Sequence, residues 1–195
     1  MARALSGEKR QAIIETAKRL FAEGGFGATS VADIARAAEL PVGSIYTYFS
    51  GKEELIRSIV DEGWAELHGR LEDSLAGIES PEDKIRLLLD TFLPELLGDL
   101  DFITILLSEG IGFTRIEEKT QELSALISSI MAPIARDAPS LRNFSATDME
   151  AALLVYFLGV LAAVRISKSA NLSLTPADVL AFLRLTIQNG LGVAT

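Results

Sequence analysis

Every apolar-patterned stretch of this 195-residue chain repeats at helical spacing, and none alternates like a strand. That regularity confines the fold to helices packed on helices, because a 3.6-residue period paints one stripe along a helix whereas a sheet face needs a period of two. Ile13, Ala17, Leu20, Phe21 and Gly24 share one face of a first helix, with Glu15, Lys18, Arg19 and Glu23 opposite and Gly24-Gly25 closing it. A short second helix starts at Ser30, a good N-cap with Asp33 three residues on, and repeats through Val31, Ile34, Ala35 and Ala38. After a turn at Glu39-Leu40-Pro41 a third short helix turns Ile45 and Phe49 inward, and Ser50-Gly51 breaks it. A long fourth helix then runs from Lys52 to about Gly77, a rod long enough to join an N-terminal bundle to a C-terminal body.

The body restarts with three hydroxyl-and-carboxylate signatures, Ser80 with Asp83, Thr147 with Glu150 and Thr175 with Asp178, each expected to place an N-cap and an N3 acid. Further helices are expected from Asp101 to Ile111 and from Glu117 to Ala135, and Pro94 and Pro133 should kink or end the helices they interrupt.

Composition closes off most chemistry. There is no cysteine and one histidine, His68, which excludes disulfides, thiol nucleophiles, iron-sulfur and zinc-ribbon sites and any relay of several histidines. No glycine-rich phosphate loop or nucleophile elbow is present, and the acidic neighbours Glu117 and Glu118, or Asp99 and Asp101, do not converge on a helix. The expectation is therefore a protein with no catalytic residues, no metal and no cofactor. With 49% hydrophobic residues the chain is not intrinsically disordered. The longest uncharged apolar run, Ala151 to Val164, falls short of the roughly 20 residues a membrane span needs. Arg3, Glu8, Lys9 and Arg10 likewise leave no apolar core for a signal peptide, so a cytoplasmic protein is expected. Up to Ser58 eight basic residues face seven acidic ones, while the rest of the chain holds ten against twenty, an asymmetry in the direction expected of an end that meets a polyanion.

Two short helices joined by a tight turn and braced by a preceding helix make a helix-turn-helix unit, whose second helix enters the DNA major groove. The run Thr29 to Ala35, then Val42-Gly43-Ser44-Ile45-Tyr46-Thr47-Tyr48-Phe49, then Lys52-Glu53-Glu54-Leu55 resembles the DNA-binding domain of the tetracycline-repressor (TetR) family. Leu20 to Phe26 fits the end of that family's first helix, so the resemblance holds register from about Gln11 to Leu55.

It implies an all-α regulator of transcription, usually a repressor: an N-terminal three-helix helix-turn-helix DNA-binding domain, residues 1–54, and a C-terminal helical effector-binding and dimerisation domain, residues 55–195. The implied partners are double-stranded DNA carrying a palindromic operator, a small-molecule effector and a second copy of the chain. By the same resemblance Thr29 and Ser30 would hold phosphate, Val42, Gly43 and Ser44 would face base edges, and Tyr46, Thr47, Tyr48 and Lys52 would grip the phosphate backbone.

Three positions depart from the family pattern. Val42 stands where a basic residue is frequent, which leaves either apolar contact with a thymine methyl or no base contact there. Glu39 stands where glycine usually ends the second helix, and Pro41 where serine is common; a non-glycine residue held left-handed costs about 1 kcal/mol.

In the body, Leu153, Leu154, Tyr156, Phe157, Leu158, Leu161 and Val164 are apolar all round a helix and demand burial on every side. With Val179, Phe182, Leu183, Leu185 and Ile187 of the last helix they suggest a four-helix dimer interface. Trp64, His68, Phe92, Phe102, Phe113 and Tyr156 are the effector-pocket candidates, although core packing competes for each aromatic ring, and Arg115, Arg165 or Arg184 could pair with an anionic effector. A helical carrier of apolar ligands is the rival class, and DNA binding separates the two.

Overall fold

The computed structural model describes residues 2–108, 115–137, 145–169 and 175–191, and among these there are helices and no strand. The helices are α1 (Ala2–Gly24), α2 (Val31–Ala37), α3 (Val42–Tyr48), α4 (Lys52–Leu75), α5 (Pro81–Leu87), α6 (Leu93–Gly98), α7 (Leu100–Ser108), α8 (Ile116–Asp137), α9 (Ala146–Ser169) and α10 (Pro176–Leu191), with a π-helical turn at Leu88–Phe92. They form two compact units: Met1–Leu67 with Asp101–Ile116, and His68–Leu100 with Glu117–Thr195.

The first unit is built on the stripes visible in the sequence. Ile13, Ala17 and Phe21 of α1, Ile34 and Ala35 of α2, Ile45 of α3, Phe49, and Leu55, Ile56, Ile59 and Val60 of α4 are all buried. Each large side chain of that set contributes about 1.5–3 kcal/mol by leaving water. The burial of Leu55 to Val60 extends this unit well past residue 54. Phe102, Ile103 and Ile105 of α7 are buried in the same unit, and Phe102 packs so closely on α4 that a Cβ built at Gly63 would lie 2.5 Å from its ring.

In the second unit α5 begins as expected, with Ser80 Oγ accepting from the Asp83 N–H at 3.2 Å and Pro81 in the first turn. Pro94 shows how a proline is absorbed without ending the run of helical turns. Its ring would strike the carbonyl of Asp90 in a regular helix. The chain instead widens into the π turn, where the Leu93 N–H reaches back to the Leu88 carbonyl, and α6 follows with Pro94 in its first turn. Arg184 of α10 ties this turn down, pairing with Asp90 at 2.7 Å and donating to the Leu89 carbonyl at 3.5 Å.

One sequence expectation needs correction. α9 starts at Ala146, and its cap is Ser145 with Asp148, not Thr147 with Glu150: the Asp148 N–H donates to Ser145 Oγ and the Ser145 N–H to Asp148 Oδ2. The stretch Ser-Ala-Thr-Asp-Met-Glu offers two overlapping boxes, and the earlier one lengthens the helix by two residues. Pro133 lies inside α8, which continues past it to Asp137. The Thr175–Asp178 box forms as expected.

The expected helix from Asp101 to Ile111 is described as α7 up to Ser108; Ile111 and Phe113 lie outside the described residues, as do the side chains of Leu153, Leu154, Tyr156, Phe157, Leu161, Val164, Arg165 and Ile187. Val160 of α9 and Val179 and Leu183 of α10 are buried, while Val155, Leu158 and Ile166 of α9 and Phe182 and Leu185 of α10 are exposed. Among the described residues no helix is long and apolar enough to cross a membrane, and no group of His, Asp and Glu is placed to hold a metal ion.

Candidate nucleic-acid interface

The turn between α2 and α3 sets the angle of the reading head. Ser30 caps α2 with a reciprocal box, the Asp33 N–H donating to Ser30 Oγ and the Ser30 N–H to Asp33 Oδ2, each at 3.1 Å. These bonds hold the Asp33 carboxyl below the usual carboxylate range, the Ser30 hydroxyl contributing most. At the other end Glu39 takes a left-handed φ of 56°, the Leu40 N–H bonds the Ala35 carbonyl at 2.9 Å and the Glu39 N–H bonds Arg36 at 3.2 Å. This is a Schellman closure with glutamate in the position that glycine favours. Pro41 then opens α3 with a fixed φ of −58°.

α3 divides its side chains cleanly. Ile45 and, at the C-cap, Phe49 are buried against the unit's core. Val42 and Tyr46 are exposed by 43% and 57%, Thr47 is exposed beside them, and a Cβ at Gly43 would meet open space. Ser44 and Tyr48 are half-buried at the edges of that face. Five of the nine sequence-proposed residues therefore form one continuous patch with a consistent outward aspect: Val42, Gly43, Tyr46, Thr47 and, flanking them, Tyr48.

Thr29 and Lys52 are placed differently. The Thr29 side chain is buried, and its hydroxyl donates to the Gly25 carbonyl at 2.9 Å and lies 3.3 Å from that of Leu20, closing the end of α1. Lys52 Nζ donates to the carbonyls of Phe26 at 2.8 Å and Thr29 at 3.1 Å while sitting over the Phe26 ring. Two of its three donors thus pin the α1–α2 loop to the start of α4. Ser30 remains exposed at the start of α2.

A further clamp was invisible in the sequence. Arg10 of α1 pairs through both terminal nitrogens with Glu62 of α4, and its guanidinium stacks 5.2 Å from the centre of the Phe49 ring. The Glu62 hydrogen bond is the main reason the Arg10 pKa is raised. Beside it the Ser50 N–H donates to Glu54 at 2.6 Å, the leading cause of a lowered Glu54 pKa. Two helices, α1 and α4, and the end of α3 are locked together at this corner.

The effector-pocket candidates fall into both units. Trp64 is half-buried and Phe102 buried in the first. In the second, His68 Nδ1 lies 3.5 Å from Glu72, and Phe92 lines an open cleft of about 350 Å³ with Arg70, Asp73, Ser74, Thr91 and Glu95. Arg70 and Glu95 are paired at 2.9 Å on its wall. Phe102 fills the space left by Gly63 and so belongs to the core.

This geometry defines a helix-turn-helix head, and the comparisons agree. Residues 13–59 match the family model of the bacterial regulatory proteins of the tetR family. The uncharacterized HTH-type transcriptional regulator YuxN of Bacillus subtilis is 35% identical over 103 residues, which are 53% of this chain and 35% of that protein. The chain thus spans about a third of the length of that curated relative. Over nearly the whole fold it is similar to the fatty acid degradation regulator FadR of Bacillus halodurans, with a TM-score of 0.72 at 18% identity, covering 92% of this chain and 94% of the other. FadR of B. subtilis, solved in complex with stearoyl-CoA, gives a TM-score of 0.72 at 16% identity, covering 95% and 99%. Residues 13–59 are thus similar to the DNA-binding domain of the tetR-family regulators, and the rest of the chain shares their helical fold.

Proposed function

We propose that this protein is a dimeric, sequence-specific DNA-binding regulator of transcription in the cytoplasm, a repressor that a small molecule releases from a palindromic operator. The observation that carries the reading is the outward face of α3, Val42, Gly43, Tyr46 and Thr47, held rigid from behind by Ile45, Phe49 and the Arg10–Glu62 clamp. Tyr46 and Tyr48 hydroxyls suit phosphate oxygens, and Lys52 has one donor left for the same task.

A single head of this size reads too few bases, so a two-fold pair is needed with half-sites about 34 Å apart. Exposed Val155, Leu158 and Ile166 on α9 and Phe182 and Leu185 on α10 support a second copy as the cover for that face. Sedimentation as a monomer at micromolar concentration contradicts this part of the reading.

Effector response follows from linkage: a ligand that favours another spacing of the heads weakens operator binding by its differential affinity for the two states. We take α4 as the lever, since it carries Lys52 at its start and Arg70, Asp73 and Ser74 of the cleft near its end. Acyl thioesters are the first ligands to try, because FadR of B. subtilis was solved with stearoyl-CoA. The test is selection on random duplex DNA, followed by release of the selected duplex with a ligand panel.

A further inference from the structure

The outward face of α3 has an unusual chemistry for a helix that reads bases: it carries no charge. Across Val42–Tyr48 there is no Arg or Lys to fork onto guanine, no Asn or Gln to bracket adenine, and no Asp or Glu to accept from cytosine. With the Tyr46 and Tyr48 hydroxyls assigned to phosphate, the two remaining hydroxyls of α3 are compromised as readers. Thr47 Oγ1 donates back to the Gly43 carbonyl at 3.2 Å, which leaves its methyl group as the outward chemistry, and Ser44 is half-buried. Two cationic side chains near the head already hold partners: Lys52 the Phe26 and Thr29 carbonyls, and Arg36 the Asp33 carboxylate at 3.1 Å. What α3 does expose at its leading end is the isopropyl group of Val42, next to a glycine with open space where a side chain would stand.

Thymine is the one standard base with an apolar group in the major groove, its C5-methyl. We propose that this head recognises its half-site by methyl contact, with Val42 and the Thr47 methyl of α3 packed against thymine C5-methyl groups, and that Gly43 is the gap that lets the helix approach closely enough. The inference rests on the DNA-binding reading above and specifies what that site recognises. The expected half-site carries thymine opposite the start of α3, and its preference there is set by shape and apolar contact.

The experiment uses the full-length wild-type protein and the duplex recovered by random selection. Thymidine is replaced by deoxyuridine one position at a time, and symmetrically in both half-sites, which removes only the methyl group. Loss of one buried methyl is worth about fourfold in affinity per half-site and roughly fifteenfold for the pair. The expected result is such a loss at one or two positions per half-site. It should be abolished in Val42→Ala, whose own operator affinity is lower and indifferent to uracil at the position Val42 covers. Val42 is exposed, so that variant keeps the core intact.

If the operator binds tightly and uracil costs nothing, or if Val42→Ala remains just as sensitive to it, the methyl-contact inference is overturned while the DNA-binding reading stands. If no duplex is recovered at all, both are overturned.

Discussion

Lys52 Nζ lies 2.8 Å from the carbonyl oxygen of Phe26 and 4.3 Å from the centre of that same residue's ring, so one ammonium group holds both the backbone and the side chain of a loop residue 26 positions earlier. The lysine at the start of α4 is thereby a structural tie for the loop that precedes α2. Lys52→Met keeps the aliphatic stem and removes the charge, and it should lower stability by about 1–2 kcal/mol through the lost carbonyl bonds and cation–π contact. Denaturant titration with an unchanged m-value checks this; wild-type stability in the variant would show that the tie is idle.

Glu39 is the one described non-glycine residue with a positive φ. Glu39→Gly should raise stability by about 1 kcal/mol, since glycine adopts the left-handed C′ position without a Cβ clash. Glu39→Ala, which retains a Cβ, should not reproduce the gain. Midpoints of the three proteins under one denaturant series decide the matter.

Gly63→Ala would drive a Cβ to 2.5 Å from the Phe102 ring, closer than any relaxed contact allows. Displacing the ring should cost about 1–3 kcal/mol. A second change, Phe102→Leu, should recover part of the loss in the double variant, because the smaller side chain clears the added methyl. Additive losses would mean that the two residues do not share this contact.

Acid sensitivity is built into the helix starts. Asp33, Asp148 and Asp178 all have lowered pKa values, caused first by the hydroxyl hydrogen bonds of Ser30, Ser145 and Thr175. A carboxyl depressed in the folded state stabilises fully above its unfolded value of about 3.9, and that contribution is lost as pH falls through the folded value. Stability should therefore hold from neutrality to about pH 4 and decline below it. Asp33→Asn should be less stable at pH 7 and lose less on acidification. An unaltered acid slope in that variant would remove Asp33 from the account.

The legibility of these features tracks their distance along the chain. The Ser30–Asp33 and Thr175–Asp178 boxes are readable because each is settled within three residues, and Glu39 because it stands where the resembled family usually has glycine. The start of α9 is ambiguous in the sequence because Ser145 and Thr147 each have a carboxylate three positions on, and only the packed helix chooses. The Arg10–Glu62 pair joins residues 52 apart and leaves no periodic trace. Nor does periodicity tell a lysine that faces solvent from one like Lys52 that turns back on a loop, or an aromatic that lines a cleft, like Phe92, from one that fills a glycine's hollow, like Phe102. The apolar face of α3 was written in the sequence, but its direction became clear only once Ile45 and Phe49 were seen buried behind it.

The central claim is that this fold presents α3 to DNA as one half of a symmetric reader. Its most direct test is to incubate the purified protein with random duplexes at physiological salt and sequence what is retained. Recovery of a palindrome whose half-sites lie about one helical turn apart is the predicted result. A folded, dimeric protein that enriches no duplex would contradict it and turn attention to a helical carrier of apolar ligands.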